Sequence, residues 1–382
     1  MANISNSVIG TKDCYGCGLC VKVCKKNILD LHLNESGFFE TAAINVDACV
    51  NCGLCKEVCS FNKNTKIFNS CLSFAGWSNN IENRKLSSSG GVAYEISKAA
   101  IGMGYSIICV RYNIQDGIAE HYIADNLDDL KQSRGSKYIQ SYTVEALNKI
   151  DRRKKYVFIG TPCQAASMRL FVEKFRISDN FIIIDFFCHG VPSYKLWKKY
   201  LKEHSEDIGN INEITWRNKN KGWHNGYCIT IKGEKSVYQS YRTHDDFYAF
   251  FLGDACLGKA CYDNCKFKYD KSCADIRLGD FWGNEYLKND EGVSSVVVFT
   301  KKGKDLLLSS DIELVSHSFE QVARGQMMST AKRPWYYALC LSNLNNNKLN
   351  LQTLGKILRY NKLLISYIQK INTILWKRKQ HQ

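Results

Sequence analysis

Twelve of the eighteen cysteines fall into three groups whose spacing suits sulfur ligation, and two of those groups repeat one template. The first run reads CYGCGLCVKVC from Cys14 to Cys24 and the second CVNCGLCKEVC from Cys49 to Cys59, each in the pattern C-x2-C-x2-C-x3-C. Cysteines three apart in a tight loop present three sulfurs from one side, as three corners of an iron-sulfur cube require. In two-cluster modules the last cysteine of each run crosses to the other cube. The pattern therefore assigns Cys14, Cys17, Cys20 and Cys59 to one [4Fe-4S] cluster, and Cys49, Cys52, Cys55 and Cys24 to a second. Gly18 and Gly53 occupy matching places and leave room for backbone to approach the sulfides. Zinc more often takes two separated C-x2-4-C pairs.

The third group is Cys256, Cys261, Cys265 and Cys273, four thiols within eighteen residues, read as a third cluster or a zinc knuckle. Cys163 and Cys188 each stand near an expected helix start, where a thiolate is stabilised. Redox or nucleophilic use and a buried, inert thiol are both open for them. His189 follows Cys188 and suits either proton donation or a backbone bond, and the isolated Cys71 is expected to be a small buried residue. Ser87 to Gly91 lead directly into a helical pattern, so their amides suit an anion such as a flavin diphosphate, or simply cap the helix. In the loop SRGSKYIQSY, Arg134, Ser136, Lys137 and Tyr138 are candidates to hold phosphate and stack on a ring. No carboxylate or histidine pair stands out as an acid and base, so no catalytic residue is assigned.

The elements that must position these groups follow from periodicity. NILDLHLNESGFFETAAINVDA reads as a hairpin turning at Asn34 to Gly37 between the cluster loops. KKYVFIG and NFIIIDFF are buried strands, each followed by a helix, with Thr161 as N-cap and Pro162 in the first turn of the earlier one. Their loops, Thr161 to Gln164 and Cys188 to Gly190, are expected at one edge of a layered α/β sheet, where ligands bind. INEITWRNK, YCITIKG and SVYQSY read as antiparallel strands. The expected fold is a bacterial ferredoxin-like two-cluster module, then a layered mixed α/β domain, which the resemblance named below makes flavin-binding, then a C-terminal helix. The boundaries are drawn at 1–66, 67–150, 151–325 (with the third cysteine loop) and 326–382. That last segment places Leu354, Ile357, Leu358, Leu364, Ile365, Ile368, Ile371 and Leu375 on one stripe before a basic end. Packing on the protein or a second subunit is expected ahead of lying on a bilayer.

With 382 residues, 45% of them hydrophobic, and three prolines, the chain can bury several cores and is not disordered. The N-terminal stretch shows no signal-peptide pattern, no apolar run approaches the length of a membrane span, and the cysteines are in metal-like spacings. A reducing, cytoplasmic setting is expected. The formal charge of +15 brings nucleic acid to mind. The lysines near the clusters (Lys12, Lys22, Lys25, Lys26, Lys56, Lys63 and Lys66) instead suit an acidic electron carrier such as ferredoxin or flavodoxin, and no nucleic-acid partner is expected.

SSSGG (87–91), GSKY (135–138), GTPCQ (160–164), CHG (188–190) and the cysteine loop ending ADIRLGDFWG (274–283) stand in the order of a known family. With them the chain resembles the coenzyme F-420 hydrogenase/dehydrogenase beta-subunit family, fused to an N-terminal two-cluster ferredoxin domain. Two departures are visible: Lys25 and Ser60 replace the proline that ends each cysteine run, and Cys261 and Cys265 are separated by three residues rather than two. The resemblance implies FAD, lined by Ser88, Ser89, Gly90, Gly91, Ser136, Lys137, Tyr138, Thr161, Pro162, Cys163, Gln164 and His189. It also implies an oxidoreductase that passes electrons between the clusters and FAD and exchanges a hydride with a soluble small-molecule acceptor; the leading expectation adds a ferredoxin-type donor that feeds the clusters. The alternative is an electron-transfer subunit of a larger redox complex, for example one in exopolysaccharide synthesis, without its own substrate site. Relatives differ in acceptor, so the family does not fix it.

Overall fold

The structure is a computed structural model that describes residues 4–69, 72–224 and 226–359. Its centre is a nine-stranded mixed sheet. From one edge the strands are Ile312–Ser316, Leu72–Ser78, Ser294–Val298, Ile276–Asp280, Phe181–Phe186, Tyr156–Ile159, Ser106–Asn113, Ile118–Ala124 and Ser141–Tyr142. The four from Ile276–Asp280 to Ser106–Asn113 run parallel. Phe181–Phe186 and Tyr156–Ile159 are buried along most of their length, as their apolar sequences, broken only by Asp185, require of central parallel strands. Because these two are parallel neighbours, the loops after them emerge side by side. That topology brings Cys163 and Cys188 together.

The helix Pro162–Lys174 begins with a capping box between Thr161 and Gln164 and with Pro162 in its first turn. It is buried on nearly every face because it is sandwiched. Ala165, Met168, Phe171 and Val172 share one core with Phe158, Phe181 and Ile183 of the sheet and with Cys17, Leu19, Val23 and Val58 of the cluster module. The expected hairpin is present as Leu29–Leu33 paired with Phe39–Ala43, and it too is fastened to the larger part. Gln140 accepts from Phe39 N at 2.6 Å and donates to Tyr15 O at 3.1 Å, Ser193 Oγ donates to Ser36 O at 2.6 Å, and Thr143 Oγ1 donates to Cys17 O at 3.0 Å. The module is inlaid in the main body.

A second, three-stranded antiparallel sheet is formed by Ile211–Asn218, Cys228–Gly233 and Val237–Tyr241, as its alternating sequence predicts. It packs with helix Tyr194–Ile208 in the largest core, around Trp197, Trp216 and Phe247. The sequence reading closes the fold near Phe319. The structure extends it, because Tyr337, Cys340, Leu341, Leu344, Leu351, Leu354 and Leu358 join that same core. The remaining stripe positions, Leu364 to Leu375, and the basic end lie outside the described residues, as does Cys71. No helix among the described residues is long and apolar enough to cross a membrane.

One buried group makes stability depend on pH. His121 stacks on Phe158 with ring centroids 5.4 Å apart and faces Ile159 O at 3.1 Å, and burial pushes its pKa down to about 4. The unfolded chain takes up the proton near 6.5 while the folded chain refuses it until about 4, so stability falls as pH drops through that window. By pH 5 wild type should lose about 2 kcal/mol more than His121→Phe in urea titrations compared with pH 7.5.

Candidate functional site

Two cavities lined by cysteine lie on either side of Tyr15. The smaller, of about 330 Å³, is walled by Cys14, Cys17, Cys20 and Cys59 with Val8, Thr41 and Phe61. Gly18 and Gly53 start the short helices behind their loops with φ of 73° and 80°, a conformation in which side chains are strained. Burial raises the Cys17 thiol to about 12, with Cys59 as the next contributor. Crowded free thiols resist ionisation, whereas a bound metal centre deprotonates them outright. Farther out, Cys55 is close enough to Cys24 and Cys52 to be shifted by both, and Cys24, Cys49 and Cys55 pack in one cluster with Cys59. Cys52 is exposed.

The larger cavity, about 830 Å³ and partly open to solvent, is lined by Cys163, Cys188, Cys261 and Cys265, and Cys14 and Tyr15 form part of its wall too. Burial pushes the Cys163 thiol well up, and Cys188, Cys261 and Cys265 add to it. Here the third cysteine group of the sequence reading is divided. Cys256 is fully buried against Cys340 in the aromatic core, and Cys273 Sγ meets Thr65 Oγ1 at 2.9 Å. The short helix Lys259–Asp263 turns Cys261 inward, while the buried carboxylate Asp185 and Arg277 fix the loop that carries Cys273 to the sheet. In place of those two thiols stand Cys163 and Cys188, brought by the parallel strands. Among the described residues no three Cys, His, Asp or Glu side chains converge tightly enough for a single metal ion. The thiols surround cavities rather than a point.

Lysines support this wall from behind. Lys268 Nζ donates to Cys188 O at 2.6 Å and His189 O at 2.9 Å, and Lys266 Nζ to Ser60 O and Phe61 O, both at 3.1 Å. Ser60 also explains one departure from the family pattern. Its N–H donates to Ser167 Oγ at 3.2 Å and its hydroxyl to Cys163 O at 3.1 Å, and a proline there would supply neither. These roles escaped the sequence reading because the partners are far away in the chain.

The residues expected to line a flavin pocket separate into two places. Thr161, Pro162, Cys163 and Gln164 lie in the cysteine cavity, and the Gln164 side chain completes the helix cap and donates to Ser141 Oγ at 3.1 Å. Ser88, Ser89, Gly90, Gly91, Ser136, Lys137 and Tyr138 gather elsewhere, where Ser136 N donates to Ser88 Oγ at 2.7 Å. Gly90 N is taken by Ser294 Oγ at 3.0 Å and Ser89 Oγ by Val293 O at 2.7 Å. The Lys137 ammonium is turned onto its own loop: it donates to the carbonyls of Gln132, Ser133, Arg134 and Gly135, and burial lowers its pKa to about 8. His189 joins the two places. It bonds Asp254 at 2.8 Å and lies edge-on to Phe251 at 5.1 Å, and Phe251 packs on Tyr138 at 5.4 Å.

Comparison with known proteins agrees with a cluster module set before a larger domain. Residues 13–63 match the 4Fe-4S dicluster domain, and residues 153–315 match the C terminus of the coenzyme F420 hydrogenase/dehydrogenase beta subunit. No curated protein matches the chain. Among solved structures, a chain of the xenon-derivatised F420-reducing [NiFe] hydrogenase complex from Methanosarcina barkeri aligns with 16% identity and a TM-score of 0.47. The alignment covers 65% of this chain and 83% of that one. The chain is thus an iron-sulfur protein of the oxidoreductase class, in which residues 153–315 are similar to the C terminus of the coenzyme F420 hydrogenase/dehydrogenase beta subunit and follow a match to the 4Fe-4S dicluster domain.

Proposed function

We propose that the chain is an iron-sulfur flavoprotein that accepts electrons at the outer end of its dicluster module and delivers them, through a third cluster, to FAD and a soluble acceptor. The observation that carries this reading is the shared wall: Cys14 and Tyr15 border both cysteine-lined cavities. Cys14, Cys17, Cys20 and Cys59 would hold one cube, Cys24, Cys49, Cys52 and Cys55 the outer one, and Cys163, Cys188, Cys261 and Cys265 the third. FAD would sit by the 88–91 and 134–138 loops, where Arg134 Nε is buried without a partner. When bound, the cubes move single electrons and the flavin pairs them for hydride transfer.

The chain's own residues do the positioning. Exposed Lys25, Lys26 and Lys56 beside Cys24 and Cys55 would steer an acidic carrier of the ferredoxin or flavodoxin kind. Tyr15, with its hydroxyl held by Asn264 O at 2.5 Å, packs edge-on to Phe61 at 5.1 Å and Phe267 at 6.0 Å, filling the space between the cavities and excluding water. Asp254 holds the His189 ring, which lies edge-on to Phe251. Protein prepared without oxygen should contain about 12 irons and one flavin per chain, with absorbance that dithionite bleaches. Brown protein that takes up no flavin on reconstitution would reject this reading.

A second reading is an electron-transfer subunit without an acceptor site. The exposed Ile44, Val46 and Val50 beside the second cysteine run favour it, as apolar surface available to a partner protein. A redox partner that co-purifies stably through the dicluster end would decide for it.

A further inference from the structure

The residues from Arg217 to His224 enter none of the site assignments above, yet they carry the densest group of unpartnered buried polar atoms in the described residues. Arg217 has a side chain only 2% exposed. Its Nη1 donates to Asp280 Oδ2 at 2.9 Å and Tyr138 Oη at 3.2 Å, while its Nε and Nη2 have no partner. Trp223 is fully buried with its indole N–H unpartnered, and both ring nitrogens of His224 are buried and unpartnered. One indole joins them. Trp282 lies parallel to Trp223 at 5.4 Å, perpendicular to His224 at 5.3 Å, and 5.4 Å from the guanidinium of Arg217.

Buried donors without acceptors are costly, and native structures satisfy nearly all of them. Three side chains around one ring, with several donors unused, describe a cradle for a flat ligand bearing acceptors along one edge. The cradle also adjoins the loops already assigned to flavin. Tyr138 bonds Arg217, and two residues on, Lys219 Nζ donates to Ser89 O at 2.7 Å and Arg84 O at 2.8 Å, fastening this strand to the 88–91 loop.

We infer that Arg217, Trp223 and His224 hold the polar, carbonyl-bearing edge of the flavin ring beside Trp282, an inference that rests on the flavoprotein reading above. The permanent charge of Arg217 would favour the ring's reduced, more negative form, so it tunes the potential as well as the affinity. This gives the Tyr138 end of the path from His189 a definite occupant.

The test is a titration of anaerobic, cluster-loaded protein with FAD, read by quenching of flavin fluorescence, together with the flavin midpoint potential. Three variants are used. Trp223→Phe keeps a ring and removes one donor, Arg217→Lys keeps a cation for Asp280, and His224→Phe alters a half-buried residue that makes no hydrogen bond. Each should weaken FAD binding roughly tenfold, as expected for one lost charge-assisted or buried hydrogen bond. Arg217→Lys should also shift the flavin potential while iron content stays at the wild-type value. Wild type that binds no FAD would overturn the flavoprotein reading itself. Wild type that binds FAD, with His224→Phe and Trp223→Phe binding as tightly and Arg217→Lys at an unchanged potential, would overturn the assignment of these residues alone.

Discussion

Replacing Cys265 or Cys188 by serine should lower iron from about 12 to about 8 per chain and leave the electron paramagnetic resonance of the dicluster module intact, whereas Cys256→Ser and Cys273→Ser should leave iron unchanged. The contrast discriminates because Cys256 and Cys273 stand closer in sequence to Cys261 and Cys265 than Cys163 and Cys188 do. Sequence spacing alone therefore favours the opposite result. The structure commits Cys256 to a buried contact with Cys340, and Cys273 Sγ to Thr65 Oγ1 at 2.9 Å. Cys163 and Cys188 line a partly open cavity whose other walls include the apolar Pro162, Val191, Ala260 and Phe267. Iron lost from the Cys256 and Cys273 variants but retained in Cys188→Ser and Cys265→Ser would return the ligand set to the 256–273 loop.

Arg277→Met should destabilise the protein by about 3–5 kcal/mol, the cost of stranding a buried carboxylate. Arg277 and Asp185 are both fully buried and pair through two parallel bonds, Nε to Oδ1 at 2.8 Å and Nη2 to Oδ2 at 2.7 Å. The remaining donors of Arg277 reach Tyr269 O at 2.7 Å and Lys271 O at 3.0 Å, and Ser272 Oγ donates to Asp185 at 2.8 Å. One ion pair thus fastens the loop after Cys265 to the central strands. The double variant Asp185→Leu with Arg277→Met should recover part of the loss, because it removes the orphaned charge. Urea unfolding measures both, and a single-variant loss under about 1 kcal/mol would show that the carboxylate finds water.

Local features were legible in the sequence. The two cysteine runs, the hairpin turning at Asn34 to Gly37 and the cap at Thr161 each depend on residues within a few positions of one another. So do the three strands from Ile211 to Tyr241. The third thiol group was not legible, because spacing reports neighbours in the chain, while Cys163 and Cys188 meet Cys261 and Cys265 across a sheet. One signal did point there: two buried strands each ending in a cysteine-bearing loop, at one sheet edge. Lys137 shows the reverse error. A lysine in a glycine-containing polar loop suggests phosphate, yet a four-carbon stem curls back as readily onto its own loop's carbonyls. The start of the C-terminal stripe was legible too, since Leu354 and Leu358 pack on the protein, in a core shared with Trp197.

The fastening of the dicluster module into the main body has a consequence for how current travels. Gln140 and Thr143, Ser167, and Ser193 reach into the module from three separate parts of the chain. Such a module is no swinging arm, and tunnelling distances inside the protein are set once, at folding. On the proposed reading, the mobility that electron supply demands would fall to the incoming carrier, which would meet a stationary terminal near Cys52.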